Sequence, residues 1–423
     1  MPNNWVVKGI KKVKILGMVL SFLIIDIRHK IKNRIQYQAK TINKIYRNNI
    51  TGNQMIESAK KLRTIYARKP NAPFFQREFG FFCLEKWKQQ GKIDDKTDLR
   101  ELFGFDPPAQ YAINQLGWTL APFEPLFENR VIEDKGDYEI VQDESGRHIL
   151  FFKGRRDGFM PEYIKNPVEN WQTWIDNVKW RLNPSTEQRR NKFQKILPDL
   201  MEAQNKGMVI TEMVIGGYMY LRCLIGPMNL PLFCYDHPEI IHDCMKTWLE
   251  LADNVIAEHQ KHIVVDELYL GEDICYNHGP LISPTMIKEF LLPYYQQLII
   301  NIKTRQASSG RHLYFHIDSD GFVVPIIPLY REIGMDVMSP FEVASGCDVI
   351  REGQTFPDMA LFGGIDKRIL AKTIKEIDKH LDRILPAMYK RGGYIPTCDH
   401  GVPEEVSFEN YMHYRNRVLE FNK

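Results

Sequence analysis

His316 and Asp318 stand two residues apart in the run Arg311-His-Leu-Tyr-Phe-His-Ile-Asp-Ser-Asp-Gly321. On an extended backbone that spacing points both side chains to one face. An imidazole beside a carboxylate can pass a proton or ligate a metal. The competing reading is a loop whose Asp318 or Asp320 caps the next helix. Six further apolar runs end in polar residues: Arg77-Glu78, Gly216-Gly217-Tyr218, Glu272-Asp273, Glu342, Asp366 and Cys398-Asp399-His400. Arg77 offers an anion clamp or an ion pair with Glu78. Glu272 and Asp273 offer a base, a ligand or a cap, and Asp366 a cap for a helix starting at Lys367. Tyr218 and Glu342 are candidates for substrate contacts, as are Asp273 and Asp366. His400 can be catalytic or simply bond a loop carbonyl. Trp171 and Trp174 are read as core. One polar strand end means little, but so many in one chain are hard to explain as helix caps alone.

The elements that must position these residues follow a rhythm. Short apolar runs lie at 208–215, 267–271, 313–317, 336–339, 360–363 and 394–397, with helical stretches such as 284–303, 321–333 and 368–390 between them. Strand alternating with helix means parallel pairing through right-handed crossovers. A strand at 73–77 brings the count to seven, close to a closed (β/α)8 TIM barrel. The expected fold class is therefore α/β, with an N-terminal helical region and a small β-hairpin insertion at about 127–160. That region holds a helix at 56–67, with helices and turns at 83–120. Arg155 and Arg156, beside the insertion, could overhang a site. In a barrel the strand ends converge on one face, where active sites sit. An open doubly wound sheet is the alternative, weakened because no Gly-x-Gly-x-x-Gly follows the first strand.

Composition narrows the classes. At 423 residues, 44% hydrophobic and 26% charged, the chain reads as a soluble globular protein. A net charge of +3 gives no reason to expect a nucleic-acid partner. Residues 1–50 carry eleven Lys or Arg against one acid, Asp26, so the remainder is mildly acidic. Seven scattered cysteines without a Cys-x-x-Cys pair argue for reduced thiols and a cytoplasmic setting. The apolar run 15–27 is short for a membrane span and lacks a cleavage site. It leaves open an interfacial helix or a start codon placed too early, and the favoured reading is a dispensable appendage, residues 1–54, before a barrel at 55–423.

Several stretches in order resemble the uroporphyrinogen decarboxylase superfamily, which includes the decarboxylase and cobalamin-linked methyltransferases. They are Gly271-Glu-Asp-Ile, Ile282-Ser-Pro, Phe290-Leu-Leu-Pro-Tyr-Tyr, Phe315-His-Ile-Asp, the segment 329–336, Phe362-Gly-Gly-Ile-Asp, Gly392-Gly-Tyr-Ile-Pro-Thr-Cys-Asp-His-Gly-Val-Pro and Glu409-Asn410. The likeness runs from about residue 60 to 420, and it implies the same (β/α)8 barrel. The decarboxylase's Phe-x-Arg-Gln-x-Gly-Arg pattern appears as Phe75-Gln-Arg-Glu-Phe-Gly-Phe, keeping Arg77 but placing Phe81 at the second arginine. An octa-acid tetrapyrrole needs several cations, which argues against uroporphyrinogen as substrate. The methyltransferases hold zinc through a His-x-Cys pair and a later Cys. Here His316-Ile-Asp318 lies over that pair and His400 near the later ligand, with Cys398 two residues away.

The resemblance thus implies a methyltransferase moving a methyl group between a small methylated substrate or thiol and a corrinoid protein. His316, Asp318, His400, Glu272 and Arg77 are its candidate catalytic residues. Zinc, held by His316, Asp318 and His400 with Cys398 as a further ligand, is the candidate metal. A carboxy-lyase acting on a small acid is the runner-up, and a non-catalytic binding barrel is the reading from another class. A corrinoid protein is the expected partner, a membrane is not, and a homodimer stays open.

Overall fold

The computed structural model describes residues 55–153 and 162–422. The readings of segment 1–54 and of Arg155 and Arg156 lie outside the described residues. Strand β1 (Gln110–Leu116) is followed by an antiparallel insertion of β2 (Arg130–Lys135), β3 (Tyr138–Gln142), β4 (His148–Phe152) and β5 (Glu162–Lys165). Then come β6 (Val209–Ile215), β7 (Glu267–Gly271), a two-rung hairpin β8 (Cys275–Tyr276) and β9 (Gly279–Pro280), and β10 (Tyr314–Asp318). Strands β11 (Val337–Ser339), β12 (Ala360–Phe362) and β13 (Tyr394–Ile395) complete the set. One seven-stranded sheet in the order β1-β6-β7-β10-β11-β12-β13 is parallel throughout. Helices fill most of the crossovers, as the alternating pattern requires.

The ladder stops at β1 and at β13, and between those edges runs the extended segment 73–80. The Gln76 carbonyl accepts from the Asp106 N–H on one side, and the Gly80 carbonyl from the Val402 N–H on the other, both at 2.9 Å. This segment stands where an eighth barrel strand would. It was expected as a strand at 73–77, but Pro73 has no N–H, and the Asp106 carboxylate takes the Gln76 N–H at 2.6 Å. The strand in the expected helices and turns of 83–120 is β1. Gln110 turns inward to a buried carboxylate, so the strand shows no clean apolar alternation.

Helix Glu57–Tyr66 closes the N-terminal end of the barrel. Its Arg63 bonds the Gly207 and Met208 carbonyls and the Asp266 carboxylate, and Tyr66 enters the interior. A small interior cluster includes Tyr66, Phe75, Val337, Phe362 and Ile395, while the larger core lies between sheet and helices. Other helices are more broken than their patterns suggest. Residues 284–303 form Pro284–Phe290 and Leu292–Arg305, with Pro293 opening the second. Residues 368–390 split into Lys367–Leu370 and Ile374–Arg391, the latter starting at a Thr373 capping box. The hairpin read at 138–152 is present within a four-stranded sheet. Trp174 is fully buried as expected, whereas Trp171 is 46% exposed. No helix among the described residues is long and apolar enough to cross a membrane.

Candidate active site

Parallel register builds the centre of the site. Asp318 lies opposite Ser339 across the β10–β11 ladder, and His316 lies two residues earlier on the same face. The Ser339 hydroxyl consequently reaches both: it is 2.5 Å from Asp318 Oδ2 and 2.8 Å from His316 Nε2. On its other side, His316 Nδ1 is 2.8 Å from Glu267 Oε1 of β7. Glu267 is wholly buried, and the Tyr66 hydroxyl (2.5 Å), the Gln110 amide (2.6 Å) and the Thr211 hydroxyl (2.7 Å) also donate to it. Burial raises its pKa, but the hydrogen bond and charge of His316 and the bonds from Tyr66 and Thr211 outweigh it, leaving the carboxyl below its ordinary value. An ionised Glu267 fixes the proton on His316 Nδ1.

Asp318 is held in the opposite direction. Burial pushes its pKa up to about 6, against the opposing pull of Ser339 and His316. Two proton arrangements satisfy this line of groups. In one, a protonated Asp318 donates to Ser339, which donates to a neutral His316. In the other, an imidazolium donates to Ser339, which donates to an ionised Asp318. The difference is one proton moved through the serine, so the chain Asp318–Ser339–His316–Glu267 is a relay opening at Asp318.

Asp318 faces a cavity of about 310 Å3 lined also by Phe79, Phe82, Trp118, Glu272 and His400. His316 and Arg77 line an adjoining cavity of about 280 Å3 with Tyr66 and Tyr269, and the two share Phe79 and Trp118. Arg77 has no ion pair or hydrogen bond among the described residues. Its guanidinium lies 5.1 Å from the Phe362 ring centre, and the ion pair with Glu78 weighed as the alternative to an anion clamp does not form. Glu78 instead accepts from the Cys398 N–H and the Tyr411 hydroxyl.

Glu272, the residue after β7, is fully buried and lines the larger cavity. It accepts from the hydroxyls of Tyr295 (2.7 Å) and Tyr330 (2.9 Å), and burial pushes its carboxyl up to about 7. Gly216 is required beside it, since a Cβ there would fall 1.9 Å from Glu272 Oε2. Asp273 follows in a left-handed turn (φ 47°), 3.4 Å from Arg222. His400 sits at the rim, 3.5 Å from Asp320, whose hydrogen bond raises the imidazole pKa against burial.

Other expected site residues are placed elsewhere. Tyr218 is 1% exposed in the core, its phenol pushed up to about 12 by burial. Glu342 is tied to Lys367 (2.8 Å) and the Gly321 N–H (2.9 Å). Asp366 caps helix Lys367–Leu370 and pairs with Arg368, the structural alternative weighed for it. The proposed metal set is not gathered at one point. Both ring nitrogens of His316 are taken by Glu267 and Ser339, and His400 is paired with Asp320. Cys398 is a buried thiol held well above its ordinary pKa by burial and then by Glu78. Among the described residues no group of three His, Cys, Asp or Glu is arranged to hold a metal. A zinc site does not fit these donors.

Sequence reasoning missed Glu267, Ser339, Tyr269 and Trp118. Glu267 carried a signal: an acid opening an otherwise apolar strand, in phase with Tyr269. Ser339 and Trp118 carried none, because their places follow from cross-strand register and from a loop packing on Gly271.

Residues 184–421 match the family described as Uroporphyrinogen decarboxylase (URO-D), more than half of the chain. No curated protein sequence matches. Among solved structures, a methyltransferase from Methanosarcina mazei aligns with a TM-score of 0.55 and 12% identity, covering 88% of this chain and 100% of that one. At that identity it shows the fold alone. A B12-independent methionine synthase from Shewanella sp. W3-18-1 aligns with a TM-score of 0.32 and 13% identity, over 53% of this chain and 64% of that one, too distant to carry an argument. Because the family model covers more than half of the chain, the chain belongs to the uroporphyrinogen decarboxylase family.

Proposed function

We propose that this protein is a methyltransferase that takes the methyl group from a small N- or O-methylated substrate, with Asp318 as general acid. The observation that carries the reading is the relay Asp318–Ser339–His316–Glu267 at the floor of a cavity able to hold a small molecule. When a methyl group leaves its heteroatom, the bonding electron pair stays on nitrogen or oxygen, and a proton delivered there makes it a better leaving group. Asp318, with a pKa of about 6, is protonated in a useful fraction near neutrality and can give up that proton. The proton lost is replaced through Ser339 from His316, which Glu267 holds in place from its Nδ1 side. Trp118, Phe79 and Phe82 line the cavity around the reacting end with aromatic surface. The methyl acceptor in this reading is a corrinoid carried by a partner protein, which supplies the nucleophile at the open mouth.

Arg77 favours a second reading. A cation with no ion pair among the described residues, next to His316, suits a substrate carboxylate, so decarboxylation of a small acid is the alternative. One assay separates the two. The protein is incubated with free reduced cobalamin and a panel of methylated amines, ethers and acids, and methylcobalamin and carbon dioxide are both followed. Methylcobalamin formation that Asp318→Asn abolishes is the expected result. Carbon dioxide without methylcobalamin would transfer the case to the lyase, and neither product across the panel would leave a binding barrel.

A further inference from the structure

The lining of the cavity at Asp318 restricts which methylated groups it can hold. Three aromatic rings border it, those of Phe79, Phe82 and Trp118. Phe82 is 59% and Trp118 42% exposed, so a ligand can reach both. Each of these two is seated on a glycine. A Cβ on Gly271 would fall 2.1 Å from Trp118 Cδ1, and one on Gly401 would fall 2.6 Å from Phe82 Cε2. His400 stacks on Phe82, with ring centres 5.7 Å apart. Aromatic rings attract a cation through their π faces and need no hydrogen bond from it.

The charged groups of the same lining are acids. Glu272, Asp273, Asp318 and Asp320 border the cavity, and among the described residues no lysine or arginine does. The side chains of Asp273 and Asp320 are 36% and 40% exposed, so they too are within a ligand's reach. Their own partners stand off, Arg222 at 3.4 Å from Asp273 and His400 at 3.5 Å from Asp320. Burial and then the charge of Asp320 hold the Asp273 carboxyl above its ordinary pKa, and Asp320 adds to the burial that raises Asp318. A cation in the shared cavity relieves that repulsion. An alkylated ammonium, with apolar methyl groups around a positive charge, suits both the rings and the acids. A methyl ether suits only the rings.

We propose that this cavity binds a quaternary ammonium group, held among Phe79, Phe82 and Trp118 with Asp273 and Asp320 supplying the opposing charge. That the ammonium is the methyl donor rests on the methyl-transfer reading; the cation site itself does not. In the reaction the C–N bond breaks as the methyl group passes to the nucleophile of the acceptor. The electron pair stays on nitrogen and takes the proton of Asp318, leaving a tertiary ammonium and an ionised carboxylate. A positive charge therefore lies among the rings before and after the step, and Asp318 opposes it as an anion only afterwards. Such a substrate has no proton of its own to lose, so it adds no ionisation to the pH profile.

The full-length protein is titrated calorimetrically with choline and with its carbon isostere, the uncharged alcohol in which a quaternary carbon replaces the nitrogen. Choline is expected to bind and the isostere to bind more weakly by about tenfold or more. Trp118→Leu keeps an apolar side chain without the ring and should weaken choline by about tenfold, with Trp118→Phe recovering part of it. Asp320→Lys puts a cation where an acid stood and should abolish choline binding, which keeps the test open if Trp118→Leu does not fold. No binding of choline, equal affinity for choline and its isostere, or wild-type affinity in both Trp118→Leu and Asp320→Lys would overturn the cation site. Choline binding in a protein that forms methylcobalamin from no substrate would leave the cation site standing and remove the methyl-transfer reading. Methylcobalamin formed from ethers without choline binding would do the reverse.

Discussion

At the scale of single residues, Asp318 decides the chemistry. If it acts as an acid, turnover is constant below pH 6 and falls about tenfold per unit above it, because its pKa is about 6 and the protonated form is the active one. Asp318→Asn keeps the shape and loses the proton, so turnover should drop by a factor of about 10² to 10⁴ while the thermal midpoint holds. Ser339→Ala is the sharper probe. The serine's hydrogen bond favours the ionised carboxyl, so removing it should move the alkaline limb of the pH profile upward. It also breaks the path to His316, so turnover should fall despite the larger protonated fraction. A profile that stays where the wild type has it would mean the serine only packs. Zinc is expected to be absent at stoichiometric level by elemental analysis of the purified protein, since His316 has no ring nitrogen to spare. Stoichiometric zinc lost on His316→Ala would reinstate the metal set.

At the scale of elements, Glu272 ties β7 to the helices around the mouth. Tyr295 comes from helix Leu292–Arg305 and Tyr330 from Ile327–Glu332, and both donate to this one buried carboxyl. Its pKa rises from 4.5 to about 7 on folding, mainly through burial. The folded state therefore holds a proton that the unfolded state releases between those values. Stability from this group is full below pH 4.5 and is lost as pH rises through 7, by about 3 kcal/mol in total. Glu272→Gln should remove that slope, which urea titrations of both proteins at pH 5 and pH 8 would reveal; parallel curves would show that Glu272 ionises freely in the fold. Gly216→Ala should cost about 3 kcal/mol, because the new methyl meets the Glu272 carboxyl, which two tyrosines hold, and the backbone at Glu272 and Gly271.

These elements also show what could be read in advance. Strands β6, β7, β10, β11, β12 and β13 were legible because their outward residues are apolar and pack under helices. Strand β1 was not, since barrel interiors can be polar where they serve a site, and its Gln110 faces Glu267. His316 and Asp318 were found by spacing along one strand. Ser339 between them was hidden, because a link across two strands depends on register, which appears in no single stretch of sequence.

At the scale of the whole molecule, the question is whether the barrel needs the basic segment before it. Residues from Met55 onward form one compact unit. Its N-terminal helix seals the barrel's N-terminal end: the Ile56 N–H bonds the Lys206 carbonyl, and Arg63 bonds Asp266 beneath β7. Tyr66 from the same helix supplies one of the donors that keep Glu267 ionised, so the relay is complete within this unit. Residues 1–50 carry eleven cations and the rest of the chain is mildly acidic, but attraction between such opposite charges is screened at physiological salt. A chain starting at Met55 should thus keep its thermal midpoint to within about 2 °C and retain the pH profile set by Asp318. A midpoint lowered well beyond that, with the loss independent of salt, would show that the apolar run at 15–27 packs on the barrel. A loss that grows as salt is reduced would show instead that the cations offset the acidic body.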